Sequence, residues 1–152
     1  RPAPAADRPV LVAFGDARRT AAPGPLPAAL EAAVASWLGA QHRPLHKIDP
    51  ARLEPRLAAK AAAAAGSELA IGFWIVGWTV EPAPDAAAVA MARARVRVQI
   101  ATPSAVVFDR VVATDTVLGD RGLGEAELAA RVAREVLAIL RPHVRRSVPS
   151  WQ

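Results

Sequence analysis

Arginine recurs at every second position of one short stretch, ARARVRVQI, which spans residues 92–100. Arg93, Arg95 and Arg97 alternate there with small or branched apolar residues. Strict alternation is typical of a β-strand that buries one face and presents the other to solvent or to a partner. The chain is therefore expected to fold around a sheet that has one covered apolar face and one face carrying arginine.

The next predicted strand, residues 105–118, determines what those arginines meet in a hairpin. Phe108 is expected to point to the core, which leaves Asp109 and Asp115 on the arginine face. Arg110 shares the parity of Phe108 and does not fit this pattern. A bulge near Asp109 and Arg110, or an open end of the sheet, would accommodate it.

A hairpin register that pairs Val98 with Phe108 would place Arg97 directly opposite Asp109. Opposite charges that face each other across two strands contribute about 0.2–1 kcal/mol. Part of the arginine row would then be neutralised by its neighbours. On that interpretation the row is a solvated sheet face that resists edge-to-edge aggregation.

Tryptophan supports a second interpretation, in which the arginine face binds a partner. Trp74 and Trp78 share one parity of the predicted strand at residues 68–80. If that parity lies on the arginine face, guanidinium–indole contacts worth about 0.5–2 kcal/mol become available. Arginine and tryptophan are also enriched at interface hot spots. The candidate partner-binding residues are Arg93, Arg95, Arg97, Trp74 and Trp78.

Hydrophobic periodicity predicts the remaining elements. The order is β-α-(β)-α-β-β-β-α, which indicates an α+β fold. We expect a mixed, largely antiparallel sheet of four or five strands, with three helices mainly on one face. The predicted elements are a strand at 10–16, a helix over four turns from 26, a short edge strand within 42–48, a turn that starts at Asp49-Pro50, a helix from about 55 to 65, a buried strand at 68–80, strands at 91–102 and 105–118, and a helix at about 125–141.

The length of 152 residues favours one domain. We expect a Pro/Ala-rich linker at residues 1–9, a single α/β domain at 10–146 and a flexible tail at 147–152. A linker of this composition often tethers a domain to an upstream segment. The net charge of +5 is carried almost wholly by arginine, and we give it little weight because it favours only non-specific association.

Catalytic and metal-binding motifs are not apparent in the sequence. The chain has no cysteine, which excludes disulfides, thiolate metal sites and a cysteine nucleophile. His42 and His46 are separated by Pro44, which forbids a regular helix between them. The glycine-rich stretch 119–125 lacks the residues of a phosphate-binding loop. We therefore expect no catalytic residue, no metal and no cofactor, and we expect that the chain is not an enzyme.

Five stretches together resemble a known group of domains: VLVAFGDAR, IDPARLEPRLAAKA, AAAAGSELAIGFWIVGWTV, RVRVQIATPSAVVFDRVV and the final amphipathic helix. The order is similar to that of small α/β domains of bacterial envelope proteins. These are the TolB N-terminal domain, CsgG and LpoB, with LptE-like lipoproteins as a weaker match. The resemblance covers most of residues 10–141. It implies a periplasmic domain, with outer-membrane attachment left open, that has no cofactor and acts through protein–protein contact.

The function that we expect is a non-enzymatic accessory or assembly domain of a bacterial cell-envelope complex. Its partner would be another envelope protein or further copies of the chain, with no specific nucleic acid. Membrane association would come only through an anchor upstream of residue 1. One alternative is a cytoplasmic anion- or nucleic-acid-binding module that uses the arginine face. Another is a small hydrolase with an unrecognised site near Asp16.

Overall fold

A five-stranded mixed sheet forms the centre of the molecule in a computed structural model that describes residues 8–18, 24–54, 56–83, 86–118 and 124–151. The strands are β1 (Val10–Asp16), β2 (Leu45–Lys47), β3 (Ala70–Ala83), β4 (Ala86–Ala101) and β5 (Val106–Leu118). Their order in the sheet is β2-β1-β3-β4-β5. Strand β1 is parallel to both its neighbours, whereas β3, β4 and β5 form an antiparallel meander.

Three helices complete the predicted order of elements and confirm the α+β class. They are α1 (Leu26–Ala40), α2 (Ala58–Ala64) and α3 (Glu125–Ser147). A short 3-10 turn, Pro50–Leu53, precedes α2. Asp49 caps this turn by accepting a hydrogen bond from the Ala51 backbone N–H at 2.8 Å, as its Asp-Pro sequence predicts.

Helices α1 and α3 lie side by side on one face of the sheet and cover its main core. The apolar parity of β4, which the alternation predicted, points into this core: Val96, Val98 and Ile100 are all fully buried. Phe108 of β5 joins them. Burial of side chains of this size stabilises the fold by about 1.5–3 kcal/mol each, so the two long helices fix which face of the sheet is covered.

The opposite face is covered only in part. Helix α2 and the 3-10 turn pack over β1 and the beginning of β3, where a smaller core contains Leu11, Ala13 and Leu53. The buried amide of Gln99 donates a hydrogen bond to the Leu53 carbonyl at 2.8 Å and ties the turn to β4. Beyond Gln99, Arg97 is half-buried and Arg95 and Arg93 are exposed, so this stretch of the face is open.

Strand β3 is buried on both sides along only half of its length. Leu69, Ile71 and Ile75 are buried, as the apolar run predicted. Val76 and Val80 are exposed instead: Val76 is the extra residue of a bulge, and Val80 lies opposite Ala92 on the helical face, in the far half of the strand. The prediction of a strand covered throughout is therefore corrected.

Helix α3 is longer than its sequence predicted. It continues through Pro142 to Ser147, whereas its predicted end lies near residue 141. Val144 is completely buried in the core, and this packing offsets the hydrogen bond that proline cannot make. Ile139 is exposed, whereas Leu137 is buried in the core.

The segment after α3 was expected to be a flexible tail. Trp151 is instead 4% exposed and packs against Trp37 of α1, with the two ring centroids 5.3 Å apart. The guanidinium of Arg43 lies 5.0 Å from the centre of the Trp151 ring. This end of the chain is therefore part of the helical layer.

Candidate functional site: the open arginine face

The predicted arginine row lies on the uncovered face of the meander. Arg93, Arg95 and Arg97 alternate with buried apolar residues of β4 and point away from α1 and α3. Their neighbours on β3 are Thr79, Gly77 and Trp74, respectively. The glycine leaves the side of Arg95 open, since its absent side chain would lie beside the Arg95 stem.

Exposed valines extend this surface on β5. Val107 and Val111 are 45% and 48% exposed, which is high for branched apolar residues in a strand. Val111 is the direct cross-strand neighbour of Arg97. We define the open arginine face as the following set of residues: Arg93, Arg95, Arg97, Val107 and Val111.

Arg97 pairs with Asp109, although not in the predicted register. The structure pairs Ile100 with Phe108, so Asp109 lies opposite Gln99 and reaches Arg97 diagonally. Both oxygens of Asp109 accept a hydrogen bond from the guanidinium, each at 2.9 Å. A register shift between Ile100 and the next residue leaves Val107 as an extra residue of β5.

The Arg97 hydrogen bonds hold the pKa of the Asp109 carboxyl below its usual range. Burial acts in the opposite direction, but it is the smaller effect. The carboxylate is therefore charged at neutral pH, and this pair is a fixed, neutral part of the face.

The two tryptophans lie on opposite faces of the sheet. Trp74 is on the arginine face, directly opposite Arg97, whose guanidinium lies 5.5 Å from the indole centre. A bulge at Val76 then shifts the alternation of β3 by one residue. Trp78 consequently points to the helical layer, where its indole N–H donates to Glu125 at 2.9 Å. The predicted Arg/Trp surface therefore contains Trp74 but not Trp78.

Charge compensation on this face is uneven. Arg93 lies 3.5 Å from Glu81 and 3.7 Å from Asp115, two contacts between well-exposed groups. Within the described part of the chain, no carboxylate lies within 4 Å of Arg95. Among the described residues, the centre of the open arginine face is thus a cation without a paired carboxylate, next on the same face to the Arg97–Val111 pair.

A second cluster of cations, which the sequence did not predict, lies where the edge strand β5 meets α3. A cavity of about 500 Å³ opens there between Phe108 and Arg110 of β5 and His143 and Arg146 of α3. Arg110 was the residue that did not fit the parity of the strand. Arg110 can lie on the helical face because β5 is the edge strand of the sheet. Its guanidinium extends past Phe108 and lies 5.7 Å from the centre of that ring.

His143 is enclosed by aromatic and cationic groups. Its ring centre lies 4.3 Å from that of Phe108, and Arg146 donates to its Nδ1 at 2.6 Å. Burial, followed by the charges of Arg146 and Arg110, lowers the pKa of His143. Because a guanidinium can only donate, Nδ1 accepts this hydrogen bond, and the hydrogen of the neutral ring is on Nε2. This cluster could not be predicted from local sequence, because it depends on how α3 continues past Pro142.

The other candidate site residues from the sequence do not lie together in the structure. His46 is in the short edge strand β2, and His42 lies in the turn before it with a φ of 55°. No group of three potential metal ligands occurs among the residues described. Asp16 accepts two side-chain hydrogen bonds from Arg18, which lower its pKa. The glycine-rich stretch 119–123 lies outside the described residues.

None of the helices in the described ranges is long and apolar enough to cross a membrane. No family model matches the chain, and no curated protein matches it.

Solved structures do match it over nearly its whole length. A hypothetical protein of Chlamydia trachomatis is 13% identical, with a TM-score of 0.61, and the match covers 90% of this chain and 98% of that one. A PelC dodecamer from Paraburkholderia phytofirmans is 18% identical, with a TM-score of 0.55 and 90% coverage of both chains. A protein of Xanthomonas campestris from family DUF330 is 13% identical, with a TM-score of 0.56 and coverage of 95% and 92%.

At this level of identity the likenesses establish the fold alone. They agree with the small bacterial α+β domain that the sequence resemblance implied. The TolB, CsgG and LpoB families are not shown by these matches.

Proposed function

We propose that this chain is a non-enzymatic accessory domain that acts through protein–protein contact, and that the open arginine face is its contact surface. The observation that carries the proposal is Arg95, which has no carboxylate within 4 Å among the described residues and follows the Arg97–Val111 pair on the part of the sheet face that α2 and the 3-10 turn leave open. Solvated sheet faces usually carry polar residues, whereas interface centres combine arginine with apolar surface.

Rigidity also supports a role in binding. Arg97 is held between Trp74 and Asp109, so it loses little side-chain entropy when a partner covers it. Val107 and Val111 add apolar area at fixed positions on a strand. A preorganised patch of this kind is better suited to macromolecular contact than to a small ligand, which needs a concave site.

The partner is another protein of the cell envelope or further copies of this chain. The resemblance to envelope domains supports a periplasmic location, with outer-membrane attachment left open. The shared fold with PelC, whose structure is described as a dodecamer, supports assembly with identical copies. Catalysis is not part of the proposal, since no nucleophile with an adjacent base occurs on this face within the described residues.

The test is a comparison of Val111→Asp and Arg95→Gln with two matched controls. Val80→Asp places the same change on an exposed strand valine of the opposite face, and Arg145→Gln removes an arginine from α3. Each variant is first checked for fold by circular dichroism. Light scattering then measures self-association, and capture from envelope and cytoplasmic fractions measures binding to other proteins.

We expect Val111→Asp and Arg95→Gln to weaken association at least tenfold, because charge or polarity at an interface centre leaves buried groups unpaired. The controls should associate like the wild-type chain. Equal association by all five proteins would refute the role of this face. Capture of nucleic acid alone, released by moderate salt, would favour the nucleic-acid alternative.

A further inference from the structure

The cavity between β5 and α3 brings cations together without a counter-charge. Arg110 of β5 and Arg146 of α3 both place a positive charge near His143. Both residues are exposed and line the same cavity. Within the described residues neither arginine has a carboxylate within 4 Å. Two like charges that converge on one ring repel each other, so this arrangement is unfavourable unless an anion occupies the space.

The carboxylate that does line the cavity is already engaged. Asp109 belongs to the cavity wall, but both its oxygens accept hydrogen bonds from Arg97 on the other side of β5. It therefore leaves Arg110 and Arg146 uncompensated. Among the described residues, the charged groups that act on His143 are thus Arg110 from β5 and Arg146 from α3.

The cavity offers donors and an apolar wall. Arg146 has further guanidinium hydrogens besides the one given to His143, and Arg110 is steadied by the ring of Phe108. His143 itself has an N–H at Nε2. Guanidinium groups bind oxyanions through charge-assisted hydrogen bonds, which are the strongest ordinary hydrogen bonds in proteins.

We propose that the cavity lined by Phe108, Arg110, His143 and Arg146 is a binding site for a phosphate-type oxyanion, carried either by a soluble compound or by a lipid headgroup. The cavity adjoins the open arginine face at Val107, which belongs to both, but this proposal does not depend on the proposed function. Occupation by an anion would replace the repulsion between the two arginines with two favourable contacts.

The first experiment follows the three histidine rings of the whole chain by NMR while inorganic phosphate is added. His42 and His46 lie elsewhere and serve as internal controls. We expect the His143 resonances to shift saturably with a dissociation constant of about 1 mM, as two or three partly exposed charge-assisted hydrogen bonds provide. The pKa of His143 should rise on saturation, since the anion counters the two arginines.

Matched variants test which side chains form the site. Arg110→Gln and Arg146→Gln should each weaken phosphate binding about tenfold. Arg145→Gln removes the same charge from the same helix without touching the cavity, and it should leave the affinity unchanged. Equal shifts at all three histidines, or equal weakening by Arg145→Gln and Arg146→Gln, would overturn the proposal and indicate an adventitious ion only.

Vesicles distinguish the two sources of the phosphate. Phosphatidylcholine vesicles are compared with vesicles that also contain phosphatidic acid, and the bound chain is measured by co-sedimentation. Binding that requires both phosphatidic acid and the Arg110–Arg146 pair assigns the anion to a lipid headgroup. Binding of inorganic phosphate without vesicle binding assigns it to a soluble phosphorylated compound.

Discussion

Arg97 shows how one residue of the arginine row is fixed by its surroundings. It donates two hydrogen bonds to Asp109 and lies over the Trp74 ring, so its place in the open arginine face does not depend on a partner. Arg95 has small neighbours on both sides, Gly77 and Ala113. Two residues of the same type in the same strand are therefore suited to different roles, Arg97 to structure and Arg95 to contact.

Asp109→Asn should destabilise the chain at neutral pH by about 0.5–1 kcal/mol, because the pair is partly exposed. The pKa of Asp109 is lowered in the folded chain, so the pair stabilises the fold above the unfolded pKa of about 3.9. The difference between wild type and variant should therefore disappear as the pH falls through the lowered pKa. Chemical denaturation at pH 7 and at pH 3 measures both quantities.

Asp115→Asn is the matched control for this prediction. Its carboxylate lies 3.7 Å from Arg93, and its side chain is 71% exposed. The change should alter stability very little at either pH. If the Asp109→Asn difference persists unchanged at the lower pH, a lost ion pair is not its cause.

Among the elements, α3 departs most from what its sequence predicts. The local rule that proline ends a helix is sound, but here the apolar residues beyond Pro142 continue to pack on the sheet. Tertiary burial of Val144 therefore outweighs a local preference. The same extension creates the cavity that contains His143, which explains why that site could not be predicted.

Pro142→Ala should stabilise the chain by about 1–2 kcal/mol, since it restores a backbone donor and removes the clash of the ring with the preceding turn. The expected gain in stability is smaller than the full cost of a proline inside a helix, because the variant chain with alanine is more flexible when it is unfolded. Thermal unfolding should show a midpoint higher by several degrees. Pro149→Ala, outside the helix, should show no gain, and a loss of stability in Pro142→Ala would contradict this account of α3.

The end of the chain is a second element whose packing local sequence did not predict. Trp151→Ala should lower the free energy of unfolding by about 3 kcal/mol, because a buried indole and its contact with Trp37 are lost. Truncation of the exposed Leu57 side chain by Leu57→Ala provides a control with little expected effect. Equal unfolding midpoints for wild type and Trp151→Ala would show that this segment does not stabilise the fold.

For the molecule as a whole, hydrophobic periodicity predicts the order of the elements and the covered face of β4. Those features depend on residues that are close in sequence, as in the alternation of arginine with apolar residues around Arg95. The hairpin register, the bulge at Val76 and the position of Trp78 depend on pairing between distant strands. One extra residue reverses the faces of everything after it, so parity alone could not assign Trp78.

The helices cover the two faces of the sheet unequally. Two long helices bury one face, whereas α2 and the 3-10 turn cover only the beginning of the other. The arginine row falls in the part that is left open. The central claim is therefore that this open face meets another protein in the cell envelope.

The most direct measurement is site-specific photo-crosslinking in living bacteria, with a photoreactive phenylalanine analogue at Val111 or, in a separate strain, at Val80. The two positions are exposed strand valines on opposite faces of the sheet. We predict a discrete crosslinked product in the envelope fraction from position 111 that Arg95→Gln diminishes, and none from position 80. Identical products from both positions, or none from position 111, would contradict the assignment of the open arginine face as a contact surface.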